Sequence, residues 1–185
     1  RFVSRFGEDG RLVEIDLKAF HIYLLSSMVG YDWPEPDIYA YFQRYYEDGV
    51  NPKDTTFRQI YGGIEEKYSH IEFFSKVKKL TDYLYEQYKV NSLQSVLFDR
   101  NFSIPNLNPL KVLNYLLQSF ETEFNSRLIC DLNDYLYVHP SKLVLYTYDS
   151  FLIDLHKDDD LNEIIQLFGG IPHKIRTGQN YHDIC

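Results

Sequence analysis

The sequence predicts an α+β fold, and three observations carry that expectation. Val13-Glu14-Ile15-Asp16 alternates apolar and acidic residues, as a half-buried strand does, and a helical pattern follows at once. Leu143 to Asp154 reads as two apolar strands with Asp149 at their junction. Glu65 to Tyr88 and Asn108 to about Tyr135 carry long helical periodicity. Neither repeats nor low-complexity linkers interrupt the chain.

Taken in order, Lys18 to Met28 forms a helix with Phe20, Ile22 and Leu24 directed inward. Gly30 to Pro36 breaks it, and Pro36 to Glu47 forms the next helix. Asn51 is a good N-cap and Pro52 a good first residue for a helix ending at Tyr61, before Gly62 and Gly63. The stretch from Glu65 to Tyr88 buries Ile71, Phe74, Val77, Leu80 and Leu84. Gln94 to Phe98 and Phe102 to Ile104 read as short strands joined by a turn at Asp99-Arg100-Asn101. The Asn108 helix has Leu110, Leu113, Leu117, Phe120, Phe124 and Leu128 as its apolar stripe, and Cys130 continues the pattern into the core. Asp158-Asp159-Asp160 opens a helical pattern from Leu161 to Phe168, where acids complement the helix dipole.

Asp16 and Asp149 each stand where a strand ends in a carboxylate. If those strands are neighbours the two carboxylates meet, and such a pair can hold two divalent ions for in-line phosphoryl transfer. Strand ends carry acids for other reasons, so the pair draws its weight from what lies between. Lys53, Phe57 and Tyr61 recur every four residues and share one stripe of a helix. Lys53 falls in the first turn, where free backbone N–H groups and the dipole favour a phosphate, and an aromatic one turn on offers a flat face to a base. A capped amphipathic helix with a snorkelling lysine accounts for the same spacing. Lys111, Asn114 and Gln118 lie off the main apolar stripe of their helix. Amide side chains supply the donors and acceptors that minor-groove readout requires, and an ordinary solvated face is the alternative. His70, His139, His173 and His182 have no ligand spacing, and no zinc is assigned. The 17 Tyr and 13 Phe are expected to pack between helices with their hydroxyls at the surface, a few being available for base stacking.

In this order the elements resemble the polymerase core of the bacterial DNA polymerase I family (family A). Asp16 to Ser26 looks like motif A, Lys53 to Gly62 like motif B on the fingers helix, and Tyr148-Asp149-Ser150 like the motif C hairpin. Asn114 to Ser119 is similar to the family's Asn-x-x-x-Gln that touches template and primer, and Thr177 to Tyr181 resembles its final strand. The resemblance covers nearly the whole chain and rests on the ordered set. It implies a small antiparallel palm sheet with packed helices, backed by the Asn108 helix, and a helical fingers subdomain. Residues 1–35 would be the first part of the palm, 36–90 the fingers with the motif B helix at 52–61, and 91–185 the rest of the palm with the motif C hairpin at 142–155. Since no thumb or exonuclease domain fits ahead of Asp16, the expectation is a thumbless C-terminal fragment, of bacterial or phage origin and cytoplasmic.

The resemblance also implies an activity, nucleotidyl transfer from dNTPs to a primer 3′-hydroxyl on primer–template DNA. Asp16 and Asp149, with the Leu17 carbonyl, would hold two Mg2+ ions, for which Mn2+ could substitute. Lys53 would grip the phosphates and protonate the leaving group, Phe57 would stack on base and sugar, and Tyr61 would pack near the templating base. His21 would occupy the position that screens the sugar 2′ position, and Lys111, Asn114 and Gln118 would touch template and primer. The chain departs from the family pattern at His21, where Glu is usual, at Tyr23 and Gly49, where Arg is usual, and at Ser150, where Glu is usual. Asp149-Ser150-Phe151 is closer to the single-subunit RNA polymerases, whereas Phe57 favours the DNA enzymes. Two alternatives follow: an RNA polymerase-like nucleotidyltransferase, and a catalytically lapsed palm acting as a binding module.

Composition sets outer bounds. A net charge of −8 and a pI near 5.2 argue against a free-standing DNA-coating protein. Cys130 and Cys185 form no CxxC, which makes a reducing compartment the default. No apolar stretch reaches transmembrane length and no signal-peptide pattern opens the chain, so no membrane partner is expected.

Overall fold

The computed structural model describes residues 2–90, 92–102 and 108–184. In chain order its elements are β1 (Gly10–Leu17), α1 (Phe20–Val29), α2 (Ile38–Gln43), α3 (Pro52–Gly62), α4 (Glu72–Val90), β2 (Leu93–Gln94), β3 (Asn101–Phe102), α5 (Pro109–Tyr137), β4 (Lys142–Thr147), β5 (Ser150–His156), α6 (Leu161–Gln166) and β6 (His173–Gly178). The result is an α+β fold that divides into two compact units, residues 1–20 with 122–185, and residues 21–121.

The first unit is built on a four-stranded antiparallel sheet of order β4-β5-β1-β6. Strand alternation sends Val13, Ile15 and Leu17 to one face of β1 and Leu12, Glu14 and Asp16 to the other. Phe151 and Ile153, paired with Ile15 and Val13, extend the first face, and Phe151 meets the ring of Phe168 at 5.2 Å. The second face carries a smaller apolar cluster of Leu12, Leu152 and Ile184. Each fully buried aliphatic or Phe side chain contributes about 1.5–3 kcal/mol, so the two central strands hold this unit together. Tyr148 and Asp149 alone connect β4 to β5, and Tyr148 turns the chain with φ 52°. Asn125 of α5, 1% exposed, donates to the Tyr146 hydroxyl and the Tyr148 carbonyl, each at 2.9 Å, and so ties the helix to this hairpin.

Cys130 departs from expectation. It is exposed, because Leu128, Leu132 and Leu136 define the buried stripe of this stretch and Cys130, two positions from both Leu128 and Leu132, points away. The acidic run before α6 also divides its labour. Asp160 caps the helix through the N–H of Asn162. Asp159, whose side chain is 3% exposed, instead accepts from the Ser141 N–H and hydroxyl and pairs with His139 Nδ1 at 2.8 Å.

The second unit has an aromatic centre. Phe42, Phe73 and Phe74 are fully buried, Phe42 stacks on Phe74 at 4.9 Å, and Trp33 touches Tyr31, Tyr41, Phe42 and Phe73. Packing is therefore the main use of these rings, as expected, but several hydroxyls are satisfied inside. Tyr31 donates to Tyr41 at 2.9 Å, and Tyr46 shares a 2.8 Å hydrogen bond with Thr56. α2 starts later than its periodicity suggests, because the Asp37 carboxylate takes the N–H groups of Tyr39 and Ala40, and it ends at Gln43, short of Glu47. The long helix expected from Glu65 begins only at Glu72. Gln59, fully buried, accepts from the Glu65 N–H and donates to its carboxylate, both at 2.7 Å, which holds the chain out of helix where α3 ends. β2 and β3 are two residues each, and the expected strand end at Ser103 and Ile104 lies outside the described residues. Leu93 joins Val112 and Leu116 in a cluster that also takes Met28, Leu84 and Tyr85.

Two outcomes follow. Gln59→Leu should lower the unfolding free energy by about 0.5–1.5 kcal/mol in urea titrations, the net size of an ordinary hydrogen bond, because its partner Glu65 is exposed and can turn to water. Burial pushes the Asp159 carboxyl up, but hydrogen bonds from Ser141 and His139 outweigh it and hold the group below its ordinary 3.8. The resulting stabilisation is fully present above pH 3.8 and is lost as pH falls through the lowered value. Asp159→Asn should therefore remove that acid-side loss from a plot of urea midpoint against pH.

Candidate functional site

Asp16 lies at the end of β1, paired with Ser150 of β5 on one side and Lys174 of β6 on the other. The next residue, Leu17, donates its N–H to the Asp149 carbonyl at 2.8 Å. The two strands are thus neighbours, and the backbone brings both aspartates to one end of the sheet. The Asp149 side chain stands in the exposed turn, while that of Asp16 is 31% exposed.

Glu14 shares the face of Asp16, two residues back, and its side chain is 11% exposed. It is bonded to the Arg176 guanidinium and accepts from the Ser150 hydroxyl at 3.1 Å. Arg176 also approaches Asp16, at 3.6 Å. This end of the sheet therefore carries Glu14, Asp16 and Asp149 against Arg176 and Lys174, a mixed field rather than a bare acidic patch. Among the described residues no group of three or more His, Cys, Asp or Glu is arranged to hold a metal ion. Two carboxylates with adjacent backbone carbonyls form an all-oxygen donor set, which suits a hard cation that keeps waters and substrate oxygens in its shell.

The other candidates lie in the second unit. Asn51 caps α3 by accepting from the N–H groups of Lys53 and Asp54, at 2.9 and 3.4 Å, and Pro52 opens the helix. Those N–H groups are occupied by the cap, so the exposed Lys53 ammonium is what this turn can offer an anion. Thr55, Thr56, Gln59 and Ile60 bury the opposite face of α3 and leave Lys53, Phe57 and Tyr61 along one stripe. Phe57 and Tyr61 stack, with centroids 5.7 Å apart and planes 7° from parallel. His21, in the first turn of α1, is hydrogen-bonded through Nδ1 to the Tyr61 hydroxyl and through Nε2 to Glu121 at 2.9 Å. Burial, then the charge of Glu121, then Tyr39 pushes the Tyr61 phenol well above its ordinary range.

On α5, Lys111 and Gln118 are exposed and Asn114 is half-buried, its side-chain oxygen having no partner among the described residues. Glu121 follows three residues after Gln118 along the same face. Sequence reasoning named His21 and Tyr61 but missed Glu121, Glu14 and Arg176. The helical spacing from Asn114 could have raised Glu121, and strand alternation could have raised Glu14. Arg176 depends on the β1–β6 register, for which the sequence carries no local signal.

No family model matches the sequence, and no curated protein matches it either. Among solved structures the fold is similar to the POL domain of Pol1 from M. smegmatis, solved in complex with DNA primer-template and dNTP. The TM-score is 0.71 at 14% identity, with 99% of this chain and 42% of that chain covered. This chain thus spans less than half the length of that polymerase, and the likeness establishes a polymerase-like α+β fold.

Arg176→Met should cost about 1–3 kcal/mol in urea denaturation, because it leaves the mostly buried Glu14 carboxylate without its guanidinium. Arg176→Lys should recover part of that loss, a point charge replacing a fork.

Proposed function

We propose that the chain is the core of a family A-like, template-directed DNA polymerase that transfers nucleotides from dNTPs to a primer 3′-hydroxyl. The observation that carries the reading is the pairing of β1 with β5, which sets Asp16 beside the Asp149 turn, in a fold similar to a polymerase domain. In this reading residues 1–35 and 91–185 serve as palm and residues 36–90 as fingers.

Asp16, Asp149 and the Leu17 carbonyl would hold two Mg2+ ions, with Mn2+ as a substitute, and their oxygen chemistry fits those ions. When bound, such ions lower the pKa of a primer hydroxyl and offset the charge of a triphosphate. The remaining work falls to side chains. Lys53 donates to the phosphates and to the departing pyrophosphate. Phe57 offers its ring to the incoming base and sugar, Tyr61 borders the templating base, and His21 screens the sugar. Lys111, Asn114 and Gln118 contact template and primer, where amides can read base edges and a lysine can meet a phosphate.

A second reading, ribonucleotide transfer, is favoured by Ser150 and His21. Primer extension with Mg2+ or Mn2+, comparing dNTPs with rNTPs, tests both, using this chain and the longest protein that carries it. Asp16→Ala and Asp149→Ala should each lower extension about a thousand-fold or more, since divalent ions contribute several kcal/mol to such transition states. Circular dichroism should stay unchanged. Extension that survives both substitutions would sink the metal assignment, and a folded, template-binding parent without extension would favour a lapsed palm.

A further inference from the structure

We propose that Glu121 is a positioning residue which, through His21, fixes the hydroxyl of Tyr61 and so the ring that Tyr61 and Phe57 present to a nucleotide. The inference rests on the nucleotide reading above and extends it to a residue outside the α3 stripe.

An ionised carboxylate can only accept, so the 2.9 Å contact between Glu121 and His21 Nε2 places the ring proton on Nε2. A neutral imidazole carries one N–H, which makes Nδ1 an acceptor and the Tyr61 hydroxyl its donor. The chain of hydrogen bonds therefore runs in one direction, from Tyr61 to His21 to Glu121. The retained phenol proton of Tyr61 agrees with that direction. Both His21 and Glu121 side chains are 17% exposed, so water competes only partly for this hydrogen bond to a charged group. Tyr61 is then held twice, its ring by the parallel Phe57 and its hydroxyl by His21, whose ring stands edge-on at 5.9 Å.

Removing the Glu121 carboxylate frees the imidazole to carry its proton on Nδ1. That N–H would face the Tyr61 oxygen, and the phenol would have to turn from donor to acceptor. One arrangement becomes two, and the ring face loses a fixed edge. The amide oxygen of a glutamine can still accept from Nε2–H, so Glu121→Gln keeps the order that Glu121→Ala loses.

The test has a spectroscopic and a kinetic arm on the full chain. With 15N-labelled histidine, the His21 ring signals, identified by their loss in His21→Gln, should report one Nε2–H tautomer in the wild type and in Glu121→Gln. A tautomer mixture should appear in Glu121→Ala. In primer extension, Glu121→Ala should raise the nucleotide KM about five- to tenfold with kcat changed less, the size of one lost hydrogen bond. Glu121→Gln should restore most of that loss. A mixed tautomer in the wild type, or an unchanged one in Glu121→Ala, would overturn the proposal. So would equal KM losses in the two variants, which would mark a charge effect rather than orientation. If the wild type extends no primer, the polymerase reading fails by itself and the tautomer result alone decides whether Glu121 holds the relay.

Discussion

The structure of the candidate carboxylate site depends on the register between β1 and β5. Setting Val13 against Ile153 and Ile15 against Phe151 buries one continuous apolar face. The same register leaves Asp16 opposite Ser150 and delivers the Leu17 N–H to the Asp149 carbonyl. A slip of one residue would send Glu14 and Asp16 into the apolar face and move Val13 and Ile15 onto the face that carries the carboxylates, so core and site are specified together. The hairpin turn depends on the same constraint. Tyr148 adopts a left-handed conformation unusual for a large side chain, and the Asn125 bond to its carbonyl is a compensating tie.

Comparable logic governs α3. Four residues of one face are buried, and two of these, Thr56 and Gln59, bond to Tyr46 and Glu65. The opposite stripe is thereby left to Lys53, Phe57 and Tyr61. A helix whose orientation is set by polar bonds as well as apolar contacts has little freedom to roll, and an aromatic pair on its outer stripe keeps a defined direction. The relay through His21 acts on the same pair from outside the helix.

Parts of this architecture could be read from the sequence because they are written in local patterns. The alternation through Asp16, the apolar runs on either side of Asp149 and the Asn51-Pro52 start each involve neighbours within a few positions. Other parts needed distant partners. The break before α4 comes from Gln59 reaching Glu65, and apolar periodicity carries no trace of it. Cys130 continues the apolar composition of α5 past Leu128, but the buried stripe runs through Leu132 and Leu136 instead. Arg176 sits 160 residues from Asp16 and joins it only through the β1–β6 pairing. The aromatic stretches were legible as packing, whereas the internal bonding of Tyr31 and Tyr46 depends on three-dimensional placement.

The same details bear on how the competing functions should be weighed. Ser150 looks like a mark of RNA synthesis when read as a motif, yet its hydroxyl is engaged by Glu14 within the sheet. A structural use therefore accounts for the serine without appeal to sugar preference. Arg176 could count toward a lapsed palm, since a guanidinium can neutralise an aspartate that no longer serves a metal. Its position gives it another use. The close bond is to Glu14, the less exposed carboxylate, while the 3.6 Å approach to Asp16 is longer than a hydrogen bond. The arginine is anchored by Glu14, and the Asp16 oxygens keep lone pairs available. Arg176, like Ser150, therefore has a use within the sheet that its motif reading does not require.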